Sequence, residues 1–283
     1  MEVAIIGASG FLGTALQRKL RGTDVSVYTR AVPFLDTDGR AAEGLASART
    51  AYWLATQINP QIAEQQPERV VADREAFERF LDALDPSSTV VMVSSGGTLY
   101  DTGSTPPYVE ASPTLPLSAY GRAKLDLEAL LASRRPAGTH VTLRVSNAYG
   151  PGQRAANGQG VIAYWLQAAR NGEDLTVFGD PATSRDYVFV DDVARALALV
   201  HAADGPLPAV VNVGSGRATS LADLAETVLD VVGHPDLRVL VTERRAFDVP
   251  HTWLGIGLAA EVLGWHPTTE LRTGIAAAWA ALR

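Results

Sequence analysis

The sequence predicts a doubly wound α/β fold, a parallel sheet with helices on both faces, followed by a smaller C-terminal lobe. Three observations predict it. Short apolar runs alternate with stretches of helical spacing through the first 145 residues. The first run leads into three glycines spaced three apart, in MEVAIIGASGFLGTALQRKL. After residue 150 the alternation gives way to helices separated by polar, glycine-rich loops.

Val3 to Ile6 is a four-residue apolar run ended by Gly7, the pattern of a buried strand. Phe11 to Leu20 carries Leu12, Ala15, Leu16 and Leu20 on one helical face. Val25 to Tyr28 is a second strand, and Pro33 and Gly39 break any regular element in 31–49. Ala51 to Ala55 is a third strand. Val71 to Leu84 is a helix with Phe77, Phe80, Leu81 and Leu84 on one side. Thr89 to Val93 is a fourth strand, 101–118 a proline-rich loop, Tyr120 to Ala132 a helix and His140 to Val145 a strand. Beyond, GPGQRAANGQG and FGDPATSRDY separate helices near 161–170, 191–202 and 220–232. Ala209 to Val213 returns to the sheet, and Leu271 to Leu282 is a closing apolar helix. The division expected is a nucleotide-binding part, 1–150 with about 186–215, and a substrate lobe, about 151–185 with 216–283.

Composition excludes several function classes. Apolar residues are 47% of the 283, enough for a packed core. With 24 basic and 31 acidic residues the net charge is −7, and no basic block is present, so nucleic acid and anionic membrane are not expected partners. The absence of cysteine removes disulfides and thiol nucleophiles, and five scattered histidines give no metal-ligand spacing. With no long apolar run and no charged-then-apolar leader, a cytoplasmic protein is expected.

Strand, glycine loop and helix together are expected to form a Rossmann-type phosphate site, a plain glycine-rich strand-to-helix turn being the alternative. Gly7 permits the tight turn, Gly10 lets a pyrophosphate approach the backbone, and Gly13 lets the helix pack on the strand; Ser9, Phe11 and Leu12 complete the loop. The second strand ends Tyr28-Thr29-Arg30, with no acid before Asp36, so Arg30 favours NADP over NAD through a 2′-phosphate, an ordinary solvated loop residue being the alternative. In LSAYGRAKL, Tyr120 and Lys124 share a helical face. A lysine cation there is expected to lower the phenol pKa and fit the pair to move a proton as hydride is transferred. Upstream, VVMVSSGGTLY puts hydroxyls, Ser95 and Thr98 among them, at a strand end, where open α/β sheets bind ligands.

With these stretches in order, and with RVSNAYGPGQ, TSRDYVFVDDVARAL and VNVGSG after them, the chain resembles the extended short-chain dehydrogenase/reductases, the group containing UDP-galactose 4-epimerase and the nucleotide-sugar dehydratases and reductases. The resemblance covers nearly the whole chain. It implies that Asn147 and Arg185 hold a sugar nucleotide's pyrophosphate and that Lys124 also binds the nicotinamide ribose. A surface pairing of Arg185 with Asp186 or Asp192 is the alternative, and capping accounts for Asp191 and Asp192. Related enzymes pair as homodimers through the helices that here are Val71–Leu84 and Tyr120–Ala132. The family's usual Ser or Thr four residues before a tyrosine is replaced by Gly96, so Ser95 or Thr98 is expected to supply the hydroxyl. A strand usual after the second is expected to be lost or reduced to residues near Phe34 to Asp36. The expected activity is NADPH-dependent reduction of a keto-sugar nucleotide, in deoxysugar biosynthesis, with Tyr120 as proton donor. The alternatives are an NAD-dependent 4-epimerase and a non-catalytic dinucleotide-binding regulator.

Overall fold

Runs of apolar, mostly β-branched or aromatic residues form six strands: Val3–Ile6, Val25–Tyr28, Thr50–Trp53, Thr89–Ser95, His140–Val145 and Val210–Val213. In the computed structural model, which describes residues 2–136, 138–155, 160–243 and 251–282, they make one parallel sheet. Its spatial order is Val210–Val213, His140–Val145, Thr89–Ser95, Thr50–Trp53, Val3–Ile6, Val25–Tyr28. The chain steps one way from the first strand to the second, then crosses back to place the third on the other side of the first. Sheets of this kind bind ligands in the crevice outside the carboxyl ends of the strands at such a reversal.

Successive strand side chains point to opposite faces, and both faces are buried. Ile5, Tyr52, Val91, Val141 and Leu143 pack with Leu16, Val193, Leu197, Ala259 and Trp265, which brings the helices Phe11–Lys19, Val190–Ala202 and Gly257–Leu263 onto one face. Ala4, Ile6, Trp53 and Met92 pack on the other face with Phe77, Phe80, Leu127 and Leu131, from the helices Pro67–Asp82 and Ala119–Arg134. Phe77, Phe80, Leu81 and Leu84 are all buried in this core. The apolar side of this helix is therefore accounted for within the chain. The outer surface of the same helix pair is laced by Arg74–Asp126, at 2.8 Å, and by Arg134–Asp82.

Val25–Tyr28 is the sheet edge, and residues near Phe34 contribute only an isolated bridge between Leu35 and Ala41. The expected reduction of the next strand is borne out. Phe34 instead packs edge-on against Trp53 and Phe80, with ring centroids 6.1 Å apart in each case.

A third core gathers Tyr149, Trp165, Leu166, Leu175, Val177, Tyr187, Leu224, Val228 and Ile275, beneath the helices Val161–Arg170, Leu221–Val232 and Leu271–Leu282. Short strands hold this region: Asn147–Tyr149 on Tyr187–Phe189, Leu175–Phe178 on Val239–Thr242, and Ser184–Arg185 between Thr219–Ser220 and His251–Thr252. None was expected from sequence, because two to four residues give too little alternation to read. Of the loop at 150–160, residues 156–159 lie outside the described residues.

Capping does not explain Asp192. Phe189 is the N-cap of the helix Val190–Ala202, with no side-chain cap, and Asp191 pairs with Arg18 at 2.7 Å. The Asp192 carboxylate reaches across to the chain before the last helix. It accepts from the amides of Thr268 and Thr269, at 3.1 and 3.0 Å, from the Thr268 hydroxyl at 2.8 Å, and from Arg195 at 2.9 Å. Its carbonyl accepts from the Trp265 indole at 2.9 Å. Burial alone would raise its pKa, but the hydrogen bonds from Arg195, Thr268 and Thr269 outweigh burial and hold the carboxyl below the ordinary range.

Asp192→Ala should therefore cost about 2–4 kcal/mol of stability near neutral pH, read by urea unfolding. A depressed folded pKa stabilises above the unfolded value, roughly 4 for a carboxylate, and that contribution is lost as pH falls through the folded value. The gap between parent and variant should accordingly narrow in acid. A small gap, or one independent of pH, would contradict this role.

Candidate active site

The glycine loop is built by close approach of backbone. Gly7 has a φ of +87°, and a Cβ there would lie 2.7 Å from the Ala55 amide nitrogen. A Cβ on Gly13 would stand 2.3 Å from the Gly7 carbonyl, so the helix can sit this close only without a side chain. Gly10 differs: it is exposed, and its Cβ would meet only the Gly7 oxygen, at 3.1 Å. The open side of Gly10 is where another molecule can reach the backbone. The first helical hydrogen bond is Thr14 N–H to Gly10 O, at 2.9 Å, and no side chain caps this helix. The amides of Phe11, Leu12 and Gly13 precede that bond, beside the exposed Ser9. This turn can hold a pyrophosphate. Gln17 fixes it from below, donating to Ala8 O at 2.7 Å, a contact the sequence did not signal.

The Gly7 and Ala8 amides both donate to Tyr28 O, at 3.0 and 3.1 Å, which ties the loop to the strand end carrying Arg30. The Thr29 hydroxyl accepts from the amides of Ala31 and Val32, each at 3.2 Å, and turns the chain there. Arg30 is exposed and has no hydrogen-bonding or ionic partner among the described residues.

Two strands away, Ser118 caps the helix Ala119–Arg134 by accepting from the Gly121 amide at 3.1 Å. A Cβ on Gly121 would lie 2.6 Å from Thr98 O, so this glycine lets the helix start rest on the hydroxyl-rich loop. In that loop the hydroxyls of Ser95 and Thr98 are joined, Thr98 donating to Ser95 at 2.9 Å. Gly96 has a steric reason: a Cβ there would lie 2.5 Å from the Leu254 side chain and 3.1 Å from Arg144 O. Lys124 Nζ lies 5.7 Å from the centroid of the Tyr120 ring and is buried.

The expected lowering of the Tyr120 pKa is corrected by this geometry. Burial, with a smaller contribution from the Asp73 carboxylate, pushes the phenol up to about 12. Burial also lowers the Lys124 pKa, opposed by Asp73 and Glu128. Glu128 is itself engaged in a buried bidentate pair with Arg144, at 2.7 and 3.1 Å. Arg144 in turn lies over the Tyr100 ring.

Asn147, just past the strand His140–Val145, is held on the residue that follows Arg185. The Asn147 amide side chain donates to Asp186 O at 2.9 Å, next to Arg185 in the chain. A Cβ on Gly97 would lie 3.9 Å from that side chain, so the hydroxyl loop borders the same space. Arg185 Nη1 donates to Ser184 O at 3.0 Å. The surface pairing with Asp186 is corrected: Asp186 is buried, accepting from Ser146, Ser215, Gly216 and Leu254.

A family model described as the NAD dependent epimerase/dehydratase family matches residues 3–214. The UDP-glucose 4-epimerase of Mycolicibacterium smegmatis is 30% identical, with 98% of this chain and 96% of that protein aligned. The dTDP-6-deoxy-L-talose 4-dehydrogenase (NAD(P)(+)) of Kitasatospora kifunensis is also 30% identical, with 99% and 95% aligned. The crystal structure of Thermotoga maritima UDP-glucose 4-epimerase with UDP-glucose matches with a TM-score of 0.89 at 27% identity, covering 100% of this chain and 99% of that one.

The three glycines should separate by substitution. Gly10→Val should leave thermal unfolding nearly unchanged while weakening dinucleotide binding by at least ~10²-fold. Gly13→Ala should lose stability as well, because the new methyl meets backbone. Unchanged affinity in Gly10→Val, read by calorimetry, would remove the loop from the cofactor site.

Proposed function

The chain belongs to the NAD dependent epimerase/dehydratase family, and from that premise we propose that it is an NADPH-dependent ketoreductase of a dTDP-activated 4-keto-deoxysugar. Family and relatives make it an enzyme of nucleotide sugars of the extended short-chain dehydrogenase/reductase type. One observation carries the finer reading: the unpartnered Arg30 at the end of the second strand. The nearest following acid, Asp36, is committed to its own turn, accepting from the amides of Asp38 and Arg40 at 2.9 and 2.8 Å. The position thus offers a guanidinium suited to a 2′-phosphate, and no carboxylate for a ribose hydroxyl.

In this reading Gly7, Ser9, Gly10, Phe11, Leu12 and Gly13 hold the dinucleotide pyrophosphate, and Arg30 the 2′-phosphate. A bound nicotinamide would supply the hydride. Tyr120 donates the proton to the sugar carbonyl oxygen; with its pKa pushed up to about 12 it is the neutral acid at physiological pH. Lys124 holds a positive charge beside it and would bind the nicotinamide ribose. The paired hydroxyls of Ser95 and Thr98 orient the carbonyl, and Asn147 with Arg185 takes the substrate phosphates. The division into a nucleotide-binding part and a substrate lobe, the cytoplasmic setting and the homodimer belong to the same reading, the last resting on the resemblance alone.

An NAD-dependent 4-epimerase is the second reading, favoured by the UDP-glucose 4-epimerases among the similar proteins. Its first step needs Tyr120 as phenolate to accept the proton of a sugar hydroxyl, the reverse of the transfer the reductase uses.

Two substitutions test the proposal. The parent should bind NADPH at least ~10-fold more tightly than NADH, and Arg30→Ala should erase that preference, the loss expected for one charge-assisted contact. Tyr120→Phe should cut kcat by ~10²–10⁴ with little change in KM. A parent that prefers NADH removes the NADPH assignment, and full activity in Tyr120→Phe removes both readings.

A further inference from the structure

Arg144 and Glu128 form a buried ion pair, their side chains 6% and 7% exposed. The guanidinium grips the carboxylate with two nitrogens, Nη2 on Oε2 at 2.7 Å and Nε on both oxygens at 3.1 Å. It also lies over the Tyr100 ring, 5.1 Å from the centroid. Its third nitrogen, Nη1, is buried without a hydrogen-bond partner among the described residues. So is the hydroxyl of Ser94, the residue beside Arg144 in the sheet register. Taking two charges out of water is costly, and a pair that leaves a buried donor unmatched recovers less of that cost. Stability is therefore a poor account of this pair.

What the pair touches gives a better one. Glu128 lies four residues beyond Lys124 and eight beyond Tyr120 on the helix Ala119–Arg134, so the three share a face. Tyr100 ends the loop that carries Ser95 and Thr98, and its hydroxyl is fixed on Asn212 at 2.6 Å. The backbone around Arg144 bounds the same loop. The Gly96 amide donates to Val145 O at 2.7 Å, and a Cβ on Gly96 would lie 3.1 Å from Arg144 O. Arg144 thus contacts both the helix of Tyr120 and Lys124 and the loop of Ser95 and Thr98.

We infer that Arg144 is a positioning residue: by holding Glu128 in its fork while resting on Tyr100, it sets how the Tyr120–Lys124 helix sits against the Ser95 and Thr98 hydroxyls. This rests on those four residues forming the site. The acid and the hydroxyls must meet one oxygen together, and a displacement of about 1 Å can cost ~10²-fold in rate. The fork matters, because a lysine supplies the charge but only a point contact.

Positioning separates from stability when both charges are replaced by apolar side chains of similar size. Arg144→Met combined with Glu128→Leu leaves no buried charge alone and removes one charge of each sign. The double variant should unfold in urea no earlier than the parent, yet lose ~10–10²-fold in kcat with KM within ~3-fold. Arg144→Lys should fall between the two in kcat. Turnover is read on reduction or on 4-epimerisation, whichever the parent performs, since both use Tyr120. A second readout needs no turnover: with 3-fluorotyrosine incorporated, the Tyr120 fluorine resonance, assigned from Tyr120→Phe, should shift or split in the double variant. Parental kcat in the folded double variant overturns the inference and leaves the pair structural, and so does an unmoved Tyr120 resonance. Should the double variant not fold, the same two results in Arg144→Lys overturn it. A moved resonance in a protein that turns over no keto-sugar supports the inference and counts only against the reductase reading.

Discussion

The Asp186 carboxylate ties the ends of two neighbouring strands to the chain around Leu254. It accepts from Ser146, just past one strand, at 3.0 Å, and from the amide and hydroxyl of Ser215, just past the neighbouring strand, at 2.6 and 2.8 Å. The amides of Gly216 and Leu254 add contacts at 3.2 Å each. Burial pushes its pKa upward, while the bonds from Ser215, Leu254 and Ser146 pull the other way. The surroundings follow from this anion. Gly214 must lack a side chain, because a Cβ would lie 2.5 Å from the carboxylate. Leu254 is fixed by its amide and its side chain fills the space at Gly96. Asn147 hangs on the Asp186 carbonyl, next to Arg185.

A second buried polar centre sets the wall of the crevice. Asn212 accepts from the Tyr100 hydroxyl at 2.6 Å and donates to Tyr108 O at 3.0 Å, while its amide donates to Glu110 at 2.8 Å. One asparagine thus anchors the proline-rich loop at three points. Tyr100 lies under Arg144, Arg144 pairs with Glu128, and Glu128 faces Lys124. The Glu128 charge that faces Lys124 is consequently held by groups that cannot move independently.

The long strands and helices were legible because their periodicity is strong, and the glycine loop because its residue type is dictated by backbone contact. The same rule explains what sequence could indicate only as a resemblance. VNVGSG carries Asn212 and Gly214, each present for a contact with residues at least 28 positions away, the carboxylate of Asp186 in one case and Tyr108 in the other. The pair of Glu128 with Arg144 was missed because an acid in a helix looks like a solvated residue until burial is known. The phenol pKa was misread for a related reason: the lysine four residues on is visible in the sequence, whereas desolvation of the pair is a property of packing. Asp192 showed its helix position but not its partners 76 and 77 residues away.

In the proposed reduction hydride passes to a sugar carbonyl, with Tyr120 as the acid. This is tested most directly by following deuterium. The protein is mixed with a dTDP-4-keto-deoxysugar and NADPH deuterated at the transferable position, and both products are examined by mass spectrometry and NMR. The account predicts deuterium on the sugar carbon that bore the carbonyl, with NADP formed one for one with the alcohol. Inversion of a sugar hydroxyl with no cofactor consumed and no label in the product would contradict it.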